Sequence, residues 1–192
     1  MRKLSIIGIG AGNPDHLTVQ AIKALSDIDV VFLIDKGSEK DALAQLRREI
    51  CERHIKKPYR IVDQVAAMQT VAFELEVIPG ITSMQALAAR HKIALNRIGG
   101  PVQITTGRRL AGGMPREVDD VVVMLDGEGA FKNVSDGDIE IYWGAYLGMP
   151  DEILLSGKLP ERAAEIERIR DDARRKHGWI MDTYLLRRGA RS

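Results

Sequence analysis

The chain has a single cysteine, Cys51, among its 192 residues. That excludes an intrachain disulfide and makes a reducing, cytoplasmic compartment the expectation. It has no apolar run near the ~20 residues that a membrane-spanning helix needs, so no membrane partner is expected. It has no excess of either charge: 28 Lys and Arg stand against 27 Asp and Glu, a net charge of +1. A global electrostatic pull toward nucleic acid is therefore missing. Met1-Arg-Lys runs straight into a strand-like segment with no separate apolar stretch and cleavage site, so no secretory leader is expected. There is no internal repeat and no low-complexity stretch. The histidines form no metal-ligand spacing, and no metal is expected. What the chain does have is 45% apolar residues, enough for a packed core, and the length of one large or two small domains.

The most informative stretch opens the chain: Leu4-Ser-Ile-Ile-Gly-Ile-Gly-Ala-Gly-Asn-Pro-Asp-His-Leu-Thr18. An apolar strand over 3–9 enters a glycine-rich turn, and a helix over 18–26 follows with Leu17, Ala21 and Leu25 on one face. This order sets backbone N–H groups at the carboxyl edge of a first strand, where nucleotide-like ligands sit in open α/β sheets. A second strand runs from Asp29 to Asp35, apolar through its middle as a central parallel strand is. Ser38 and Asp41 resemble the start of a helix that buries Ala42, Leu43, Leu46 and Ile50. Val71–Ile78 is a further strand, ending at Pro79-Gly80, and Thr82 or Ser83 caps a helix to about His91. Strand and helix alternate, which argues for a parallel α/β sheet over 1–96.

Asn96-Arg-Ile-Gly-Gly-Pro101 reads as a linker. Over 101–192 the texture changes to strands with little helix between them: Val102–Thr106, Asp120–Leu125, Ile139–Tyr146 and Glu152–Leu155. A helix over 160–177 turns Ala163, Ile166, Ile169 and Ala173 inward and its charges outward, and Gly178 ends it. Trp179–Leu186 is a last strand. The second half is thus α+β with a mixed sheet. Cys51, beside Ile50 on a helix, reads as a small buried apolar group.

Gly8-Ile-Gly-Ala-Gly-Asn13 approaches the dinucleotide fingerprint, with Asp35 placed to bind a ribose. A nicotinamide-dependent oxidoreductase is therefore one reading, and a tight turn in a module without catalysis another. Asn13 stands where the third glycine belongs, however, and Pro14-Asp15 prevents the helix from starting on the turn.

The same residues resemble the first motif of the tetrapyrrole (corrin/porphyrin) methylases, Gly-x-Gly-Pro-Gly-Asp with a following Pro and a later Leu-Thr. The resemblance continues at Val77-Ile-Pro-Gly-Ile-Thr-Ser83, at Val121-Val-Val-Met-Leu125 and at Gly144-Ala-Tyr-Leu-Gly-Met-Pro-Asp-Glu152. It implies a two-domain tetrapyrrole-methylase fold: a parallel α/β domain, a mixed α+β domain and a cofactor cleft between them. It also implies methyl transfer from S-adenosyl-L-methionine to a tetrapyrrole. Ile93–Gly99, Ile104–Arg109 and His177–Tyr184 are most similar to members that act on a late corrin precursor with loss of acetate. A homodimer is expected on the same ground. Ala11 and Asn13 depart from the family's proline and aspartate. Between Arg60 and Val71 the family places a further strand, a Gly-Asp-Pro loop and a helix, which this chain lacks. A sheet so shortened loses a strand and its cleft a wall. The expectation is that the natural chain carries a segment here, with an intact mass above 21.3 kDa.

By this resemblance, cofactor contacts fall to Gly10, Ala11, Gly12, Pro79, Thr82, Ser83, Met124, Ala145 and Leu147. Thr82 and Ser83 can hydrogen-bond the cofactor's carboxylate or ribose, or serve only as helix caps. Arg108 and Arg109 open a Gly-rich basic loop and can pair bidentately with the substrate's carboxylates. Release of acetate calls for a base. His16, Asp15 and Asp35 are candidates, and none is singled out by its spacing.

Overall fold

A computed structural model describes residues 2–33, 41–62, 73–135 and 138–189. By packing the chain divides into two units, Met1–Thr82 and Ser83–Ser192. The boundary falls ahead of the helix that the sequence grouped with the first half, and the linker read at 96–101 lies inside the second unit.

The first unit holds β1 (Arg2–Ile7), α1 (Val19–Ser26), β2 (Val30–Phe32), α2 (Asp41–His54), β3 (Arg60–Val62) and β4 (Phe73–Ile78). β1 and β4 pair in parallel from Arg2 with Phe73 to Ile7 with Ile78, and β2 and β3 form a second parallel pair. The expected single parallel sheet is thus two separate pairs among the described residues. One face of the β1–β4 pair is bare: Ile6, Leu75 and Val77 are exposed. The small core under α1 and α2 gathers Leu25, Ile50, Cys51 and Ile55, with Leu17 and Leu46 packed on it. Cys51 is buried as expected, and desolvation raises its thiol pKa. Asp35 and Ser38 lie outside the described residues, as do the side chains of Ala42 and Leu43.

The second unit holds α3 (Ser83–His91), β5 (Val102–Thr106), α4 (Gly107–Leu110), β6 (Asp120–Met124), β7 (Ile139–Ala145), β8 (Ile153–Lys158), α5 (Leu159–His177) and β9 (Asp182–Arg188). Its sheet has the order β5-β6-β9-β7-β8, parallel between β5 and β6 and antiparallel elsewhere. Alternation along the strands sends Val121, Val123, Ile141, Trp143, Tyr184 and Leu186 into a core with Leu159, Ile166 and Ala173 of α5. α3 packs on β7, β8 and β9. Gly178, at φ +73, ends α5 in the left-handed conformation that glycine favours. The charges of α5 do not all face outward: Arg170 is buried at 2% exposure. It is held inside by an ion pair with Asp182, which the one-dimensional pattern did not reveal.

At the end of α3, His91 Nε2 donates to the Trp143 carbonyl at 3.0 Å, and the ring meets Tyr142 edge-on. Burial holds its pKa below the ordinary 6.5, outweighing the hydrogen bond to Trp143 and the charge of Glu152. The unfolded chain therefore binds the extra proton first. Stability falls as pH drops below 6.5 and levels off once the folded-state imidazole is also protonated. Urea midpoints between pH 7.5 and 5 are expected to decline, and His91→Gln is expected to flatten that decline. An unchanged slope in the variant rules this source out.

Candidate functional site

In the first unit, parallel pairing brings the carboxyl ends of β1 and β4 side by side, and their turns touch. Gly8 N–H donates to the Ile78 carbonyl at 2.9 Å. A Cβ on Gly8 would lie 2.5 Å from Gly80 N, and one on Gly80 would lie 2.7 Å from the Gly8 carbonyl carbon. Only two glycines let the turns approach this closely. Gly10 and Gly12 take φ of +85 and +144, and a Cβ on Gly10 would press on His16 Cβ. Asn13 Oδ1 accepts from Asp15 N–H at 2.8 Å and caps a 3-10 turn over Pro14–His16. α1 therefore begins only at Val19, capped by Thr18, whose hydroxyl also donates to the Pro79 carbonyl at 3.4 Å. A dinucleotide turn sets the helix N-terminus directly on the glycines; this one interposes a turn. His16 Nδ1 is buried beside it with no hydrogen-bond partner among the described residues. Buried polar atoms are normally paired, so an orphan at this edge fits a site that takes a ligand.

In the second unit, Met124, Ala145 and Ser83 converge at one end of the sheet. Met124 on β6 pairs with Thr183 on β9, Thr183 pairs with Gly144 on β7, and Ala145 pairs with Asp182. Thr183 Oγ1 donates to Ser83 Oγ at 3.2 Å, and Ser83 Oγ donates to Met124 Sδ at 3.9 Å. Ala145 and Leu147 are buried, Leu147 against Gly144. Both strands leave this edge through a non-glycine residue with positive φ: Leu125 at +54 and Tyr146 at +51. Leu125 is also 82% exposed. Such a conformation costs about 1–3 kcal/mol per residue and gathers at functional edges. Tyr146 is held by its hydroxyl, which donates to the Trp179 carbonyl at 2.6 Å.

β5 ends at the same edge, Thr106 pairing with Met124, and Arg108 and Arg109 follow it. They sit exposed on the short helix α4, anchored by buried Leu110, and not on the loop expected there. Pro79 and Thr82 are exposed in the first unit. Thr183 and the αL residues Leu125 and Tyr146 escaped the sequence reading. Strand register alone brings Thr183 to the site, and no local signal marks a left-handed leucine.

The family model for tetrapyrrole (corrin/porphyrin) methylases matches residues 3–71 and 59–163, and the chain belongs to that family. It is accordingly a methyltransferase, with S-adenosylmethionine as the donor. The chain is 43% identical to a precorrin-6A synthase [deacetylating] of a Sinorhizobium species, over 99% of this chain and 97% of that one. A crystal structure of a putative cobalamin-synthesis-related protein (CobF) from Corynebacterium diphtheriae superposes with a TM-score of 0.86 at 31% identity, covering 98% of this chain and 99% of that one. A uroporphyrin-III C-methyltransferase from Thermus thermophilus, complexed with S-adenyl homocysteine, shares the fold. It has a TM-score of 0.52 at 18% identity, over 96% of each chain. The match to the Sinorhizobium protein runs over 252 residues, against 192 in this chain. The two family matches overlap at 59–71, where the sequence reading found a strand, loop and helix missing. Residues 63–72 lie outside the described residues.

Features that suit a ligand are, in the first unit, the glycine turns at the β1 and β4 ends with the orphaned His16 Nδ1 beside them and, in the second, the strained and exposed Leu125 after Met124.

Proposed function

We propose that the chain is an S-adenosylmethionine-dependent C-methyltransferase of aerobic cobalamin biosynthesis, converting precorrin-5 to precorrin-6A with release of acetate. Identity of 43% along nearly the whole of both chains carries this reading. When bound, the donor supplies a methyl group on a positively charged sulfur, a group that leaves readily. The chain's part is positioning and exclusion of water. The turn Gly10-Ala11-Gly12, with Pro79 and Thr82, and the Ser83, Met124, Ala145 and Leu147 edge are the contacts we assign to it. Turns lined by backbone suit a donor that needs orientation and no covalent help.

Thermal-shift titration tests the reading. S-adenosylhomocysteine is expected to raise the melting temperature and NAD(P)H is not. Stabilisation by NAD(P)H alone would favour an oxidoreductase, and stabilisation by neither would favour a ligand-binding module without catalysis.

Arg108 and Arg109 are proposed to capture the carboxylates of the substrate. Two guanidinium forks on one exposed turn can pair bidentately with flexible acid side chains. Changing both to Ala is expected to raise the substrate KM about tenfold, the loss of one charge-assisted bidentate pair, with the affinity for S-adenosylhomocysteine unchanged. An unchanged KM rejects the assignment.

The protein is further proposed to be a cytoplasmic homodimer, supported by its family and its lone buried cysteine. Among the described residues no helix is long and apolar enough to cross a membrane. Sedimentation equilibrium at twice the chain mass is the expected result. The natural chain is also proposed to carry a segment at the 59–71 break, so that its intact mass exceeds 21.3 kDa. A mass equal to that figure would refute it.

A further inference from the structure

Asp126 lies one residue past the left-handed Leu125, nearly buried, and takes part in a dense set of hydrogen bonds. Its carboxylate accepts from Gly129 N–H at 3.0 Å, from Ala130 N–H at 2.7 Å and from the Tyr184 hydroxyl at 2.5 Å. Its carbonyl accepts from Arg170 Nη2 at 2.6 Å, and the Gly127 carbonyl accepts from the same nitrogen at 3.1 Å and from Arg174. Arg170 is paired in turn with Asp182, which also accepts from Trp143 Nε1 at 2.7 Å. A turn at a sheet edge ordinarily leaves its carbonyls to water. Here buried side chains from α5 and β9 hold both carbonyls and the carboxylate.

The same carboxylate reaches the neighbouring strand end. A Cβ on Gly107 would fall inside the Asp126 carboxyl group, so α4 starts in direct contact with it. Arg108 and Arg109 follow at once. Asp182 lies opposite Ala145. One buried cluster therefore touches the Met124–Leu125 turn, the start of α4 and the end of β7.

We propose that Asp126, held by Tyr184 and Arg170, is a positioning residue that sets the Met124–Leu125 turn and the start of α4 against each other. Donor contact and carboxylate capture are then governed by a single buried group. This rests on the reading of that edge as part of the methyl-donor site. Removing a hydrogen bond to the carboxylate frees the strained Leu125 to relax, and a relaxed turn no longer matches the donor.

The test compares Tyr184→Phe and Asp126→Asn with Ile166→Val, a core change on α5 that loosens packing and removes none of the turn's hydrogen bonds. Each is titrated with S-adenosylhomocysteine by calorimetry, and its melting temperature is recorded. Tyr184→Phe, which keeps the ring, is expected to weaken binding about tenfold, the effect of one lost hydrogen bond to a charged group. Ile166→Val is expected to lower the melting temperature and leave the affinity alone. An unchanged affinity in folded Tyr184→Phe overturns the proposal, even if Asp126→Asn fails to fold. Failure of the unaltered protein to bind overturns the donor reading itself, a result distinct from a variant that has lost its effect.

Discussion

Arg170→Met is expected to destabilise the second unit by about 3–5 kcal/mol, because it strands a buried carboxylate without its counter-charge. Asp182 is itself buried, and with Arg170 gone Trp143 Nε1 is the donor left to its carboxylate among the described residues. Desolvation already pushes its pKa above the ordinary carboxylate value, and Arg170 is the main influence pulling it back. A domain is stable by only about 5–15 kcal/mol, so the loss takes a large share of the total. Urea denaturation at pH 7 measures it. The double variant Arg170→Met with Asp182→Leu is expected to recover much of the loss, since no unpaired charge is then buried. If the double variant is as unstable as the sum of the two single changes, the burial penalty is not the cause.

Gly8→Ala is expected to have the second large effect. The new Cβ would sit 2.5 Å from Gly80 N, against backbone on both sides, so neither turn has a flexible atom to yield. Overpacking of this kind costs about 1–3 kcal/mol, and here it also parts the two turns assigned to the donor. Affinity for S-adenosylhomocysteine is expected to fall together with stability. Gly100→Ala is the control, because its added Cβ meets only ordinary contacts at 3.5 Å and beyond. That change should stay within about 0.5 kcal/mol of the unaltered protein. Equal losses in both variants would mean that glycine is tolerated at Gly8 for chain flexibility and not for close approach.

Much of the second unit was legible in one dimension. Val102–Thr106, Asp120–Leu125 and Ile139–Tyr146 were read as strands, and their ends match the observed strands within a residue. α5 follows its apolar period and stops at Gly178. The first unit was legible only in part. Three of its four described strands were found, but β3 (Arg60–Val62) was not, and among the described residues the strands pair two by two where one sheet was expected. Arg170 was read as a solvent-facing charge because periodicity assigns a face and cannot say which partner waits on it. Thr183 was passed over for a similar reason: only sheet register sets it between Met124 and Gly144.

The sequence alone determined the family, through glycine and proline turns whose backbone geometry depends on residue identity at fixed positions. It also determined most strand and helix positions, because local propensity and period are properties of neighbouring residues; the methyl donor followed only from the family resemblance those motifs carry. The tertiary structure decided the rest: the contact of Gly8 with Gly80, the left-handed turns at Leu125 and Tyr146, and the buried cluster about Asp126 and Arg170. These join residues tens of positions apart, and their energies come from desolvation and close approach, which exist only once the chain has closed on itself.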